Sequence, residues 1–201
     1  MPRTGRLFIS GGVYHVVTRG LERKEIFKDD RDREEFLIRL GIALEKTKSE
    51  CYAWALMPNH VHLMIRTGER SLSDIARRLF TGYAIYFNKR YKRHGYLYQN
   101  RYKSVLCQED IYFKELVRYI HLNPLKAKVV TTMEQLDRYP WSGHSVLVGN
   151  ENHTWQNRDE VLGYFGKREK ESIVRYREFI REGMHKQSKY DFSGGGLVRS
   201  V

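Results

Sequence analysis

Cysteine is scarce, with only Cys51 and Cys107 in 201 residues. They stand far apart in apolar runs, which excludes a disulfide framework and the close Cys spacing of a zinc module. Such usage fits a reducing cytoplasm. Long apolar runs are missing as well, and no stretch approaches the ~20 residues needed to span a bilayer. The N-terminus lacks the charged segment, apolar run and cleavage site of a secretory signal. A soluble, cytoplasmic protein with no membrane partner is therefore expected. There is no internal repeat and no low-complexity tract. The glycine motif that cradles the phosphates of a bound nucleotide is absent too, so no nucleotide cofactor is expected.

Acidic residues are also in deficit: 24 Asp and Glu stand against 36 Lys and Arg, a formal net charge of +12. Such a chain is suited to a polyanion, because each phosphate neutralised by Lys or Arg releases condensed counterions. Fourteen tyrosines accompany that charge. Aromatic faces can stack unpaired bases while basic groups follow the backbone, although most of these rings are expected to be ordinary core or surface residues. With 41% hydrophobic residues the chain can bury one core and carry a small appended module.

Local patterns give an order of elements. Gly11-Gly12 precedes a β-branched and aromatic run, Val13 to Thr18, which predicts the first strand. From Asp30 to Lys46, Phe36, Leu37, Leu40, Ile42 and Leu44 recur at helical spacing among charges. Cys51 to Met57, the turn pair Pro58-Asn59, and His60 to Arg66 predict a hairpin. Ser71 with Asp74 three residues on resembles a capping box and opens a helix to Lys92. Lys103 to Gln108 predicts a fourth strand. Tyr112 to Leu122 predicts a helix that stops near Asn123, because Pro124 restricts the residue before it. The order βαββαβα suits an α+β, ferredoxin-like (RRM-like) antiparallel sheet with helices on one face, the other face being free for ligand. Short helices around Asp159 to Phe165 and Lys170 to Met184 form a C-terminal helical extension. The expected division is 1–130 for the main domain, 131–190 for the extension packed on it and 191–201 for a flexible tail.

Two constellations carry chemistry. Along a strand, alternate side chains share a face, so His60, His62 and Met64 point one way and Val61, Leu63 and Ile65 the other. The two imidazoles then stand about 6–7 Å apart at their backbones, near enough to converge on one cation. Exposed strand histidines are also common without a metal, and imidazole becomes a frequent ligand only when a third group joins. At the end of the third helix, Tyr119 and Asn123 lie one turn apart on one face. A free phenol has a pKa near 10 and attacks usefully only beside a cation or base; an ion held by His60, His62 and the Asn123 carbonyl would supply that field. The plain alternative is that Tyr119 packs and Asn123 ends the helix before Pro124.

Taken together, Met57-Pro58-Asn59-His60-Val61-His62 and Arg118-Tyr119-Ile120-His121-Leu122-Asn123-Pro124 resemble the single-tyrosine HUH transposases, in particular the REP-associated tyrosine transposases. Gly12 to Val16 with Arg19-Gly20, Ile26-Phe27, Asn100 to Lys103 and Tyr139 to Ser142 are similar to that family too. The resemblance runs from Gly11 to about Phe192. It implies a ferredoxin-like core that binds one divalent ion, Mg²⁺ or Mn²⁺, through His60, His62 and Asn123, with Tyr119 as nucleophile. It implies cleavage and rejoining of single-stranded or hairpin DNA through a 5′-phosphotyrosine, in transposition or recombination of hairpin repeats, by a monomer or homodimer. Imidazole ligands by themselves suit zinc or nickel equally. Longer members carry a further helical DNA-binding module, which is not expected beyond Gly196 here.

DNA contacts are expected from Arg77, Arg78, Lys89, Arg90, Lys92 and Arg93 and, ahead of these, from Arg101 and Lys103, whose spacing puts both on one side near the metal face. A solvated face explains such charge runs equally well. Tyr98 and Tyr102 are candidate stacking partners or core residues. His15 lies near the site and is expected to pack or hydrogen-bond. A competing function is a non-catalytic single-stranded nucleic-acid binder, which explains the charge but not the gathering of two histidines, a phenol and an amide.

Overall fold

The computed structural model describes residues 9–107, 110–184 and 196–197. Strand β1 is Val13–Arg19, helix α1 Asp30–Thr47, β2 Glu50–Met57 and β3 His60–Arg66. A helical stretch follows as α2 (Leu72–Ala76), a π-helical segment (Arg77–Thr81) and α3 (Gly82–Arg90). Then come β4 (Lys103–Cys107), α4 (Asp110–His121), α5 (Asn123–Lys126), α6 (Met133–Asp137), α7 (Gly143–Leu147), α8 (Arg158–Gly163), α9 (Glu169–Glu182) and β5 (Gly196–Leu197). The strands lie in the order β2-β3-β1-β4-β5. The first four pair antiparallel and β5 runs parallel to β4. This is the expected ferredoxin-like sheet.

Local chemistry sets the boundaries. Asp29 caps α1 by accepting from the Asp32 amide, and Lys48 closes it in the left-handed region at φ 53°. Ser71 caps α2 through the Asp74 amide, but the Asp74 carboxylate turns to Arg77 and Arg78 instead of returning to the cap. Phe36, Leu37, Leu40, Ala43 and Leu44 are buried, whereas Ile42, expected on the same face, is 52% exposed. Its place in the helical turn is the reason: it falls between the buried Leu40 and Ala43, on the solvent side.

One face of the sheet presents Tyr14, Val16, Trp54, Leu56, Val61, Leu63 and Ile65 to α1, α2 and α3, as expected. The opposite face differs from the open surface anticipated. Tyr52, Ala53, Ala55, Met57 and Met64 pack there against Leu116, Val117 and Ile120 of α4 and against residues of α6 to α9. The physical reason was present in β2, whose run from Cys51 to Met57 is apolar throughout and buried throughout; a half-covered strand alternates. The C-terminal segment also closes the outer edge of β2. Leu56 donates its amide to Trp141, Asn157 donates to Cys51, and the Trp54 indole donates to Gln156 at 2.7 Å.

The second layer leaves a cavity over β1 and β4, lined by His15, Val17, Lys103 and Val105 among others. The hairpin turn bordering it is anchored by the loop after β1, since Gly20 donates to Asn59 and Ile26 to Pro58. A Cβ at Gly20 would lie 2.2 Å from the Lys24 carbonyl oxygen, so only glycine admits this approach. Of the tail, Gly196–Leu197 pairs with Val105 and Leu106; the remainder of 191–201 lies outside the described residues. Among the described residues no helix is long and apolar enough to cross a membrane.

Candidate active site

Histidine positions on the sheet follow from register. β1 and β3 pair so that Arg19 faces His60, Val17 faces His62 and His15 faces Met64. His15, His60 and His62 therefore share the face on which α4 lies. The His15 and His62 rings stack with centroids 5.2 Å apart, and His15 Nε2 lies 3.0 Å from His62 Nδ1. The rings of His60 and His62 meet edge to face at 5.1 Å.

Helix α4 delivers Tyr119 to this group. Its ring stands edge-on to His62 and to His15, at 5.7 Å from each. Asn123, one turn later, donates its amide nitrogen to the Tyr119 carbonyl at 2.7 Å, which leaves its side-chain oxygen as an acceptor. The Lys126 ammonium lies 5.7 Å from the centre of the Tyr119 ring. Partial burial, with the Arg118 charge nearby, lowers the Lys126 pKa.

His15, His62 and Tyr119 line a cavity of about 290 Å³ whose other walls include Thr18, Arg19, Gln99, Asn100, Arg101 and Lys103. Phenol, imidazoles and guanidinium groups thus converge on one space within a single chain. Such a combination can bind a phosphate and attack it.

The donor set fits a divalent cation. Burial, with Arg19 assisting, lowers the His60 pKa to about 4; burial and the neighbouring His15, His60 and Arg19 push His62 well below its usual value. Both rings are therefore neutral near pH 7, the form that ligates metals. Asn59 donates its amide nitrogen to Arg23 at 2.9 Å, so its oxygen is the acceptor of the 2.6 Å bond from His60 Nδ1–H. That bond leaves the His60 Nε2 lone pair free, as an outer-shell partner does in metal sites. His15 can play the same part for His62. Among the described residues no group of three His, Cys, Asp or Glu side chains could hold a metal ion, so a third protein ligand here must come from another residue type, and the Asn123 carbonyl oxygen is of the right kind.

The basic and aromatic residues expected at DNA divide. Arg101 and Lys103 line the cavity. Arg77 and Arg78 share Asp74, both remaining largely solvated. Lys89 is exposed on α3, and Lys92 sits at φ 50° just beyond it. Arg90 is bound to Asp29 and to the fully buried Asp32, at 2.6 and 2.5 Å, and joins the end of α3 to the start of α1. Arg93 stacks on Phe87. Tyr102 is buried, its hydroxyl 3.1 Å from that of Ser73, whereas Tyr98 lines a groove beside the cavity. Sequence reasoning left out Arg19, Gln99 and Asn100 and undervalued His15. The signal for His15 and Arg19 was strand periodicity, which puts them on one face of β1 once β3 is its neighbour. Gln99 and Asn100 lie in an irregular segment with no such signal. The expectation that the histidine face is free is corrected: His62 is 5% exposed and packs beneath α4.

A second polar cluster ties α4 to the C-terminal helices. The Tyr176 hydroxyl lies 2.7 Å from Nδ1 of both His121 and His144, and His144 Nε2 lies 2.8 Å from Asp137. Arg177 also binds Asp137. Burial lowers the pKa of both histidines, keeping them neutral. His144 must then donate Nε2–H to Asp137 and accept from Tyr176, which accepts from His121. His121 is two residues beyond Tyr119, so this chain of bonds fixes the end of the helix that carries the phenol.

Comparison with known proteins agrees with the geometry. No curated protein sequence matches the chain. One solved structure, a REP-associated tyrosine transposase bound to a REP hairpin, is 18% identical with a TM-score of 0.59, covering 79% of this chain and 98% of its own. At that identity the likeness shows the fold. A second, described as a transposase from Deinococcus radiodurans R1, is 18% identical and covers 60% of this chain and 94% of its own; its TM-score of 0.41 carries no argument. The model of the IS200-like transposase family matches residues 9–123, more than half of the chain and the whole span from β1 to Asn123. The protein belongs to the IS200-like transposases.

Proposed function

We propose that this transposase cleaves and rejoins single-stranded DNA through a 5′-phosphotyrosine on Tyr119, acting on hairpin repeat elements. The observation that carries the reading is the position of Tyr119, edge-on to His15 and His62 in a cavity also lined by Arg101 and Lys103. Tyr119 packs on the core and also lines this cationic cavity, which packing by itself does not require. The hairpin-bound protein of similar fold supports hairpin DNA as the substrate class.

In the proposed reaction the Tyr119 oxygen forms a bond to phosphorus as the bond to the 3′ oxygen breaks. The phenol loses its proton and the departing 3′ oxygen gains one, so the step is balanced. The strand is left with a 5′-phosphotyrosine and a 3′-hydroxyl, and attack by another 3′-hydroxyl reverses the sequence. No nucleotide is consumed, because the covalent link conserves the energy of the broken bond. Arg101, Lys103 and Arg19 orient the phosphate and offset its charge. Hydrogen bonds from His60 to Asn59 and from His62 to His15 hold the two rings in place, and the chain through His121 and Tyr176 holds α4. A divalent ion, Mg²⁺ or Mn²⁺ by family, would be held by His60, His62 and Asn123 and would polarise the phosphate when bound.

The test is incubation with hairpin and unstructured single strands in Mg²⁺ or Mn²⁺, followed by denaturing electrophoresis. A covalent protein–DNA band that depends on Tyr119 supports the reading. Binding without any adduct under either metal overturns it in favour of a binding module.

A further inference from the structure

The catalytic cavity does not end at Arg101. Thr18, Gln99, Asn100 and Arg101 also belong to the wall of a second depression of about 660 Å³. This groove lies between the 95–102 segment and the helical stretch from Ser73 to Ala84. Its walls are largely apolar and aromatic, with Phe80, Tyr96 and Tyr98 prominent, and its charged residues are Arg77 and Arg101. No carboxylate lines it among the described residues.

Several features show that the groove is built rather than incidental. Tyr96 is 84% exposed, the most exposed large hydrophobic side chain among the described residues. The turn that presents it uses Gly95 at φ 87°, a conformation glycine adopts without strain. The segment is held at several points: Asn88 donates to the Gly95 carbonyl, Leu21 to Leu97 and Gln99 to Arg19. The Tyr98 hydroxyl is turned into the protein, with no hydrogen-bond partner among the described residues, so its ring and not its polar end faces the groove. Across from it, the helix widens into a π-helical turn at Arg77–Thr81, placing Phe80 and Thr81 on the groove wall. Such turns recur at functional sites because the extra residue re-aims side chains.

We infer that this groove receives an unpaired nucleobase of the strand whose phosphate lies at Tyr119. The assignment rests on the catalytic reading above and extends it to base recognition. A strand leaving the cavity past Arg101 meets aromatic faces at once, and stacking on them requires no particular base. Gln99 and Asn100, at the junction, each offer an amide donor and acceptor to a base edge, which is where sequence preference would arise. A peptide partner gains less here, since Arg77 is already paired with Asp74 while Arg101 meets no lining carboxylate and favours a polyanion. A second copy of this strongly basic chain is disfavoured for the same reason.

The test uses the full chain and hairpin oligonucleotides that carry 2-aminopurine at one position each, moved along the strand across the cleaved phosphate. Wild type should quench the probe at one or two positions beside that phosphate. Tyr96→Ala, at an exposed site, should abolish the quench and weaken binding about tenfold, within the range for loss of a stacked base. Tyr96→Trp should restore both. Equal quenching by wild type and Tyr96→Ala at every position overturns the assignment. So does a dimer in sedimentation that Tyr96→Ala dissolves, because the occupant is then another copy of the chain. Quenching is a binding signal and needs no chemistry, so loss of the adduct in wild type would overturn the catalytic reading alone.

Discussion

His15 Nε2 and His62 Nδ1 lie 3.0 Å apart with their rings stacked. One proton must sit between them. Burial keeps His62 neutral, and a His62 that carries this proton on Nδ1 presents its Nε2 lone pair to the cavity. A residue that only filled space could not make that selection. His15→Ala should lower Mn²⁺ affinity about 10- to 100-fold, the usual effect of losing an outer-shell partner, and His15→Gln should recover part of it. Calorimetric titration of the DNA-free protein is the measurement; equal affinity in wild type and His15→Ala would remove the role.

Tyr119→Phe deletes one oxygen from a ring that keeps its contacts with His15 and His62. The covalent adduct should disappear while hairpin affinity changes by no more than about twofold, since phosphate contacts supply most of the binding energy. Gel shift beside denaturing electrophoresis separates the two effects.

Arg101 and Lys103 line the cavity, whereas Arg90 is committed to Asp29 and Asp32. Arg101→Ala or Lys103→Ala should each reduce the slope of log affinity against log salt by about 0.7 for a single strand. Arg90→Ala should leave that slope unchanged. It should instead lower the melting temperature, because the Asp32 carboxylate stays buried without its cation. A changed slope in Arg90→Ala would place DNA at α3.

Acid should unfold the metal-free protein early. Folding depresses the pKa of His60 to about 4 from 6.5, and burial lowers His62, His121 and His144 as well. Between those values the unfolded chain binds protons that the folded chain refuses, so stability is complete above about pH 6.5 and falls as pH drops toward 4. Melting temperatures in EDTA across this window give the test; a flat profile would contradict the burial of these rings.

Tyr176→Phe removes the hydroxyl that accepts from His121 and donates to His144. Two buried polar atoms lose their partner, at about 1–3 kcal/mol. Melting should fall by several degrees, and adduct formation at saturating DNA should slow as the end of α4 loosens, with affinity unchanged. Wild-type rates in a destabilised variant would confine the network to stability.

Much of the site was readable because its residues are close in sequence. His60 and His62 share a face through the two-residue period of a strand, and Tyr119 and Asn123 through the turn of a helix. The hairpin from Cys51 to Arg66 follows from a Pro-Asn turn between apolar runs, and β2 and β3 flank that turn directly. What proved harder depends on distant pairing. His15 is separated by 47 residues from the imidazole it touches, and no local period reports that β1 lies beside β3. The second helical layer left one mark, the unbroken apolar run in β2, which was readable as a strand buried on both faces.

By itself the sequence determined the residue types available for chemistry, the periods that place them on faces, and the excess of positive charge that selects a polyanion. Only the tertiary structure decided which faces meet. Strand order put His15 and Arg19 beside the histidine pair, and packing of α4 over β2 and β3 brought Tyr119 to them and buried His62. The physical reason is range: propensity and periodicity act over a few residues, whereas strand pairing and helix docking are settled by hydrophobic burial summed over the whole chain.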